Sequence, residues 1–510
     1  MNRRTFLLQT AATAAMATPL LRAEAKEITV FLRDVPSPVL VPLAYTGLSY
    51  ELAQLSDPAF FSTQNRDLVA CFKLLSSNGI LRLGGNTSEF CWFKAAPSTA
   101  TPRLHVPSGN LAENWMPHRL FAISPEAIDE LAGFLHATGW RLIYGLNFGN
   151  STPERAAEEA AYVAGKIGDR IEFFQIGNEP DLYTKASNGT RPPGWGFSDY
   201  VAEWTRFAEA VAQKIPSARL GGPDVAASSD WVVRFGARVP EHISSRLVAL
   251  TGHYYAEGPP NDPEVTIARL LAGNPRIRTE TTEIVSASRS HSRVYRMTEG
   301  NSCYRGGKPG MSDAFASALW AGDYMLELAD HGCAGVNLHG GRSAFLTAGL
   351  GGHTPGMEVA RTPQAVDSGF YSPIQSEPDK PVRAMPVFYG MMLANQFCGA
   401  AMLRVDGDLR GLNASVYAAR NQGQVKVAIF NRDEHTPMQL AIRGDFTPRS
   451  GNLWRLQAPS LDSTQNVTLA GTQVEPTAQW NPRSVESIET RNGVLSVPVP
   501  ASSAALLFLR

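Results

Sequence analysis

Two glutamates stand out by their surroundings. Glu179 closes the run Ile171-Glu172-Phe173-Phe174-Gln175-Ile176 within Gly177-Asn178-Glu179-Pro180. Glu299 lies in Met297-Thr298-Glu299-Gly300, at the end of a run that begins at Val294. Each carboxylate falls where a strand-like segment stops, and Pro180 cannot continue a hydrogen-bonded ladder. A solvated loop acid is the ordinary reading of a lone Glu. Two of them at strand ends suggest a pair that shares one substrate. Paired carboxylates can cleave a glycosidic bond: one protonates the leaving oxygen, and the other attacks or activates water.

Such a pair needs a fold that returns distant strand ends to one mouth. Strand-like and helix-like segments alternate from residue 43 to 398. Strands are expected at 43–50, 79–83, 140–147, 171–176, around 219–221, at 247–255, 294–298 and 333–338. Ser124-Pro125-Glu126 and Thr152-Pro153-Glu154 read as helix starts, each a hydroxyl cap followed by Pro and an acid. Ser198 and Ser312 are expected to cap two later helices, and Met385–Cys398 to form the last one. The Arg/Ser/Thr-rich stretch 273–293 reads as a loop or small excursion. Eight strand–helix units predict an α/β fold, a (β/α)8 TIM barrel over 43–398, whose chemistry gathers at the C-terminal ends of the strands.

Beyond residue 400 the pattern changes to short alternating strands. Among them are 415–418, 425–430 and 506–509, with a hairpin turn at Asn421-Gln422-Gly423. Residues 399–510, joined by 26–42, are expected to form an all-β sandwich, with Ile28–Leu32 pairing into it.

The 510 residues carry 46 basic and 47 acidic side chains, and 44% are hydrophobic. That excludes a disordered chain, and it gives no basic excess to attract nucleic acid or an anionic membrane. Arg3-Arg4 followed by an Ala-rich stretch and Ala23-Glu24-Ala25 reads as a twin-arginine export signal over 1–25, cleaved after Ala25. The mature protein is then expected to be soluble and periplasmic or secreted. Cys71, Cys91, Cys303, Cys333 and Cys398 are odd in number and form no C-x-x-C pair, so no disulfide framework is legible. No metal-ligand spacing such as H-E-x-x-H and no phosphate-binding glycine loop is found. Hydrolysis of this kind needs no cofactor.

Several segments together resemble glycoside hydrolase family 79, the heparanase and β-glucuronidase family, within the retaining glycosidases of clan A. They are Leu81-Arg82-Leu83-Gly84-Gly85-Asn86, Tyr144-Gly145-Leu146-Asn147, Gly177-Asn178-Glu179-Pro180, Gly221-Gly222-Pro223-Asp224-Val225, His253-Tyr254-Tyr255, and Glu299 through Tyr304-Arg305-Gly306-Gly307 to Ser312-Asp313. The resemblance covers about residues 43–340. It implies Glu179 as acid/base and Glu299 as nucleophile. It places Asn178 on the sugar 2-hydroxyl, Arg82 and Tyr255 beside Glu299, and His253 in support of that nucleophile. His339 would line the sugar site, with Glu51 and Asn147 as further substrate contacts. Tyr304, Arg305 and Gly306 resemble the family's uronate-binding loop, and Tyr371 is the best match to a tyrosine that follows strand eight. Glu89, Asp224 and Glu257 also fall near strand ends.

The implied activity is that of a retaining exo-β-glucuronidase acting on a glucuronide or a glucuronate-containing glycan. Rivals are a heparanase-like endo-β-glucuronidase, a non-catalytic carbohydrate-binding barrel, and another clan A specificity such as an arabinofuranosidase or xylosidase. Near-neutral charge and the long Gly-rich segment Gly340–Tyr371 favour exo action. A basic group including Arg276, Arg278, Arg289, Arg293, Arg305 and Lys308 favours the endo rival.

Overall fold

The computed structural model describes residues 24–103, 120–185, 188, 190–350, 369–445, 450–490 and 494–509. The expected export signal falls almost wholly outside them, as does the middle of the segment between Gly340 and Tyr371.

Eight parallel strands close into a barrel: Thr46–Glu51, Ile80–Gly84, Arg141–Leu146, Ile171–Ile176, Leu220–Val225, Leu247–Glu257, Val294–Cys303 and Val336–Gly340. They are the first to eighth strands below. Helices on the outside bury an apolar stripe against them. Pro125–Thr138 starts where Ser124 accepts the Ala127 N–H at 3.2 Å, and it buries Ile128, Leu131 and Leu135. Thr152 caps Pro153–Ile167 in the same way.

The structure differs from the sequence expectation at four places. Residues 276–290 form a helix rather than a loop, although its buried stripe has only Ile284 and Val285 as apolar members beside Thr281 and Ser288. Ser198 lies inside a helix that starts at Phe197, where Asp199 reaches back to the Gly196 N–H at 2.9 Å. Ser312 caps no helix. Its hydroxyl accepts the Lys308 N–H and the Ser302 hydroxyl, each at 2.9 Å, and the helix begins at Phe315. The eighth strand starts at Val336, three residues beyond Cys333.

The C-terminal region is a ten-stranded, mostly antiparallel sheet that curls around its own core of Val427, Ile429, Leu440, Val497 and Leu507. Lys26–Arg33 lies within it, antiparallel to Ala401–Gly407 and parallel to Met438–Gly444. Strand periodicity explains how this sheet joins the barrel. Val427 and Ile429 face its own core, while Ala428 and Phe430 point the other way into the barrel's apolar cluster. The hairpin between Ala414–Asn421 and Gln424–Asn431 turns on Gln422 and Gly423, both at positive φ (47° and 84°). All five cysteines are free thiols.

Candidate active site

The mouth is shaped by irregularities in two strands. On the seventh strand the register against the sixth shifts between Met297 and Glu299. This bulge lets the consecutive side chains of Thr298 and Glu299 reach one network. Thr298 Oγ1 donates to Asp224 at 2.5 Å, and Glu299 accepts from Arg82. The fifth strand shifts register between Pro223 and Val225 around Asp224, whose φ is 62°. Glu179 is likewise left-handed at φ 51°, and its N–H donates to the Asp224 carbonyl at 2.8 Å. Backbone held in such regions is characteristic of functional sites.

Arg82 organises the floor. It is 1% exposed, and its Nη1 donates to Glu299 Oε2 at 2.5 Å and to Ser49 at 3.2 Å. Nη2 donates to Asp224 Oδ2 at 2.6 Å and to Asn178 Oδ1 at 2.8 Å, and Nε donates to Gln175 at 3.2 Å. Every edge of the guanidinium is thus fixed, as a buried cation requires. The turn back toward Glu299 needs Gly84, where a Cβ would collide with the guanidinium.

Glu299 and Glu179 occupy opposite electrostatic environments. Burial raises the Glu299 carboxyl. The facing His339 and His253 and the Arg82 charge outweigh that effect, and Tyr255 OH adds a 2.8 Å hydrogen bond. Glu299 therefore sits at about 2. Glu179 is raised, first by burial and further by the Glu299 charge, against the opposing hydrogen bond from His253. His253 Nδ1 lies 3.0 Å from Glu179 Oε1, and Nε2 lies 3.0 Å from Asp224 Oδ1. Burial alone would lower this imidazole, but the charges of Asp224 and Glu299 carry it up to about 10. Protonated, it hydrogen-bonds Glu179 and forms an ion pair with Asp224. Asp224 is held below the usual carboxylate range, because His253 and Arg82 overcome its burial.

Among the described residues, Glu179, His253 and Glu299 present possible metal-ligand atoms within 4.8 Å of one another. The same distance places the two carboxylates on either side of one small reacting group.

A cavity of about 410 Å³ opens over this pair. Of the residues singled out by sequence, Glu51, Glu179, Tyr255, Glu299, Tyr304 and Arg305 line it, with Gly306, His339 and Tyr371. Tyr255 stands at the centre of the aromatic wall, 6.4 Å from Tyr304 and 6.1 Å from Tyr371 between ring centroids. His339 packs on Tyr371 at 5.9 Å, and its Nδ1 lies 2.9 Å from Ser49 Oγ. Arg305, Gly306 and Gly307 all have positive φ (59°, 88° and 90°). A Cβ at Gly307 would stand 2.7 Å from the Tyr371 backbone nitrogen, so glycine permits the two loops to touch.

Two expected substrate contacts do not line the cavity. Asn147 donates to the Cys91 carbonyl at 2.7 Å and accepts the Asn150 N–H at 2.8 Å, so it ties a loop behind the mouth and does not line the cavity. Asn178 sits below the lining, with its carbonyl taken by Arg82 and its amide given to Asn86 Oδ1 at 3.1 Å. His253 hydrogen-bonds Glu179, and its charge also lowers Glu299, the candidate it was expected to support. Of the other strand-end acids, Glu89 anchors the N–H groups of Phe148, Gly149 and Asn178, and Glu257 pairs with Arg269.

Sequence reasoning missed Gln175, Asn301 and the wall of Leu346 and Leu350. Gln175 Nε2 donates to Asp224 Oδ1 at 2.5 Å. Asn301 Nδ2 joins the carbonyls of His339 and Tyr371, at 2.8 and 2.9 Å, and so fixes Tyr371 beside the eighth strand. The legible signal was a polar residue breaking an apolar strand. Leu346 and Leu350 line the cavity from the segment after strand eight, whose Gly349 carbonyl accepts from Asn86 at 3.1 Å.

A parallel eight-stranded barrel with two carboxylates at its C-terminal mouth defines a (β/α)8 glycoside hydrolase. Residues 416–506 match the glycosyl hydrolase family 79 C-terminal beta domain. A β-glucuronidase of Aspergillus niger is 25% identical over 545 residues, covering 93% of this chain and 92% of that protein. A β-glucuronidase of Neurospora crassa is 24% identical over 335 residues, covering 58% of this chain and 57% of that protein. Among solved structures, a 4-O-α-L-rhamnosyl-β-D-glucuronidase from Fusarium oxysporum superposes with a TM-score of 0.71 at 18% identity, over 94% of this chain and 99% of that one. A GH51 arabinofuranosidase from Xanthomonas axonopodis pv. citri superposes with a TM-score of 0.63 at 15% identity, over 96% of this chain and 100% of its own. The chain is thus similar to a β-glucuronidase over most of its length, and residues 416–506 match the family 79 C-terminal domain.

Proposed function

We propose that the protein is a retaining exo-β-glucuronidase that releases terminal β-D-glucuronic acid by double displacement. The observation that carries this reading is the pair itself. Glu179 is raised, Glu299 is depressed, and their oxygens lie within 4.8 Å over one cavity. Retaining enzymes hold their two carboxyl groups roughly 5–5.5 Å apart, whereas inverting ones leave room for a water between them.

In this mechanism Glu179, whose carboxyl burial pushes toward its protonated form, gives a proton to the glycosidic oxygen as that bond breaks. Glu299, ionised, attacks the anomeric carbon and forms a glycosyl ester. Glu179 then takes a proton from the incoming water, which displaces Glu299. Arg82 and Tyr255 keep the nucleophile charged and aimed. The substrate's own carboxylate would meet the Tyr304–Gly306 loop and Tyr371, where backbone N–H groups at positive φ suit an anion. Likeness to two β-glucuronidases supports this substrate class. Leu346 and Leu350, on the segment after strand eight, support exo over endo action by closing one side of the cavity.

Export to the periplasm or medium remains a proposal carried by residues 1–25; no helix among the described residues is long and apolar enough to cross a membrane. The test is release of p-nitrophenol from p-nitrophenyl β-glucuronide beside shortening of heparan sulfate. Free glucuronate without chain shortening is expected, and shortening without free glucuronate would establish the endo rival.

A further inference from the structure

Glu89 is fully buried and takes part in no step of the proposed reaction, yet it joins three neighbouring strand ends. It sits in the short turn Asn86–Phe90 that follows the second strand. Oε2 accepts the Phe148 N–H at 2.9 Å and the Gly149 N–H, both just past the third strand. Oε1 accepts the Asn178 N–H, just past the fourth strand, at 2.6 Å. In return, the Asn150 side-chain amide donates to the Glu89 carbonyl at 2.9 Å. The approach is close: a Cβ at Gly149 would stand 3.0 Å from Glu89 Oε2.

A buried carboxylate is costly unless its oxygens are satisfied. Burial raises the Glu89 carboxyl, and the three N–H groups oppose that rise. Backbone N–H groups only donate, so three of them suit the ionised form. Compensation for its charge runs through one peptide unit. The Phe148 carbonyl accepts from Arg191 Nη2 at 3.1 Å, and the N–H of the same unit, on Gly149, donates to Glu89. A satisfied polar network of this kind rigidifies what it holds.

What it holds is the turn that carries the acid/base. Gly177 and Glu179, on either side of Asn178, both have positive φ (88° and 51°). Such a turn persists where its surroundings over-determine it. Asn178 is fixed at three points: its N–H by Glu89, its side-chain carbonyl by Arg82 at 2.8 Å, and its side-chain amide by Asn86 at 3.1 Å. Glu299, by contrast, takes its hydrogen bonds from Arg82 and Tyr255.

We propose that Glu89 is a positioning residue for the acid/base: by holding the Asn178 N–H it aims the Glu179 carboxyl at the glycosidic oxygen. This inference rests on the reading of Glu179 as acid/base. Its effect belongs to proton donation and leaves the nucleophile's attack intact.

The test compares kcat/KM, which reports the first step, on methyl and 2,4-dinitrophenyl β-glucuronides. The methyl leaving group needs a proton, and dinitrophenolate departs without one. Glu89→Gln turns one acceptor into a donor. It should lower the methyl value on the order of 10²-fold, the cost of misplacing a reacting group by about 1 Å. The dinitrophenyl value should change by no more than about twofold. Glu89→Asp keeps the charge but is one methylene short of the Asn178 N–H, and it should show the same split even if Glu89→Gln folds poorly. A merely structural role would lower both substrates alike. Glu179→Gln, assayed beside them, separates the two levels of the argument. Equal losses on both substrates in the Glu89 variants, with a split in Glu179→Gln, overturn the inference alone. No split in Glu179→Gln overturns the acid/base reading and the inference with it.

Discussion

The two flanks of the catalytic cavity are built on different principles. The Glu299 flank is a hydrogen-bonded lattice. Arg82 and Tyr255 hold both carboxylate oxygens, and the carboxyl sits at about 2. The Glu179 flank relies on burial, which raises the acid, with one imidazolium beside it to limit the rise. In the proposed mechanism one flank favours the charge that attacks, and the other favours the protonated form that gives a proton away. Two residues of the same type acquire opposite roles from their surroundings alone.

The comparison is broken most severely by Glu299→Gln. Loss of the nucleophile should lower kcat on the order of 10⁵-fold, measured with p-nitrophenyl β-glucuronide, while thermal stability stays near native. Glu179→Gln should behave differently on two substrates. With an alkyl glucuronide, whose leaving group needs a proton, kcat/KM should fall about 10³-fold. With p-nitrophenyl glucuronide the first step should fall far less. Equal losses on both substrates would deny Glu179 the acid's role.

Two milder changes should move the pH profile in distinguishable ways. His253→Gln removes a charge that lowers both glutamates. Both limbs of the kcat/KM bell should therefore move to higher pH. His253 also stabilises the fold with a raised value of about 10, against an ordinary value near 6.5. That contribution is complete below about 6.5 and is lost as pH rises through 10. Tm of the native protein should therefore decline across this window more steeply than Tm of His253→Gln. Tyr255→Phe should be the smallest effect. It removes a single hydrogen bond to Glu299, so only the acid limb should rise, with kcat lower by about tenfold. Movement of the basic limb in Tyr255→Phe would show that the flanks are not separable.

Much of this arrangement was legible because barrels place chemistry at strand ends. Glu179 and Glu299 could be found from an apolar run followed by a carboxylate. Ser124 and Thr152 declared their helices, since cap and proline act locally. The helix at 276–290 was hidden by its composition: its buried face includes Thr281 and Ser288, so periodic hydrophobicity is weak. Asn147 shows the limit of the strand-end rule, since the same position on a neighbouring strand serves a loop. The partner of His253 depended on the left-handed turns at Glu179 and Asp224, which no spacing reveals.

The central claim is the division of labour between the flanks, and trapping the intermediate tests it most directly. The protein would be treated with 2-deoxy-2-fluoro-β-glucuronyl fluoride, digested, and the labelled peptide sequenced by mass spectrometry. The account predicts a single fluoroglucuronyl ester on Glu299. A label on Glu179, or turnover without any covalent adduct and with inverted anomeric configuration, would contradict it.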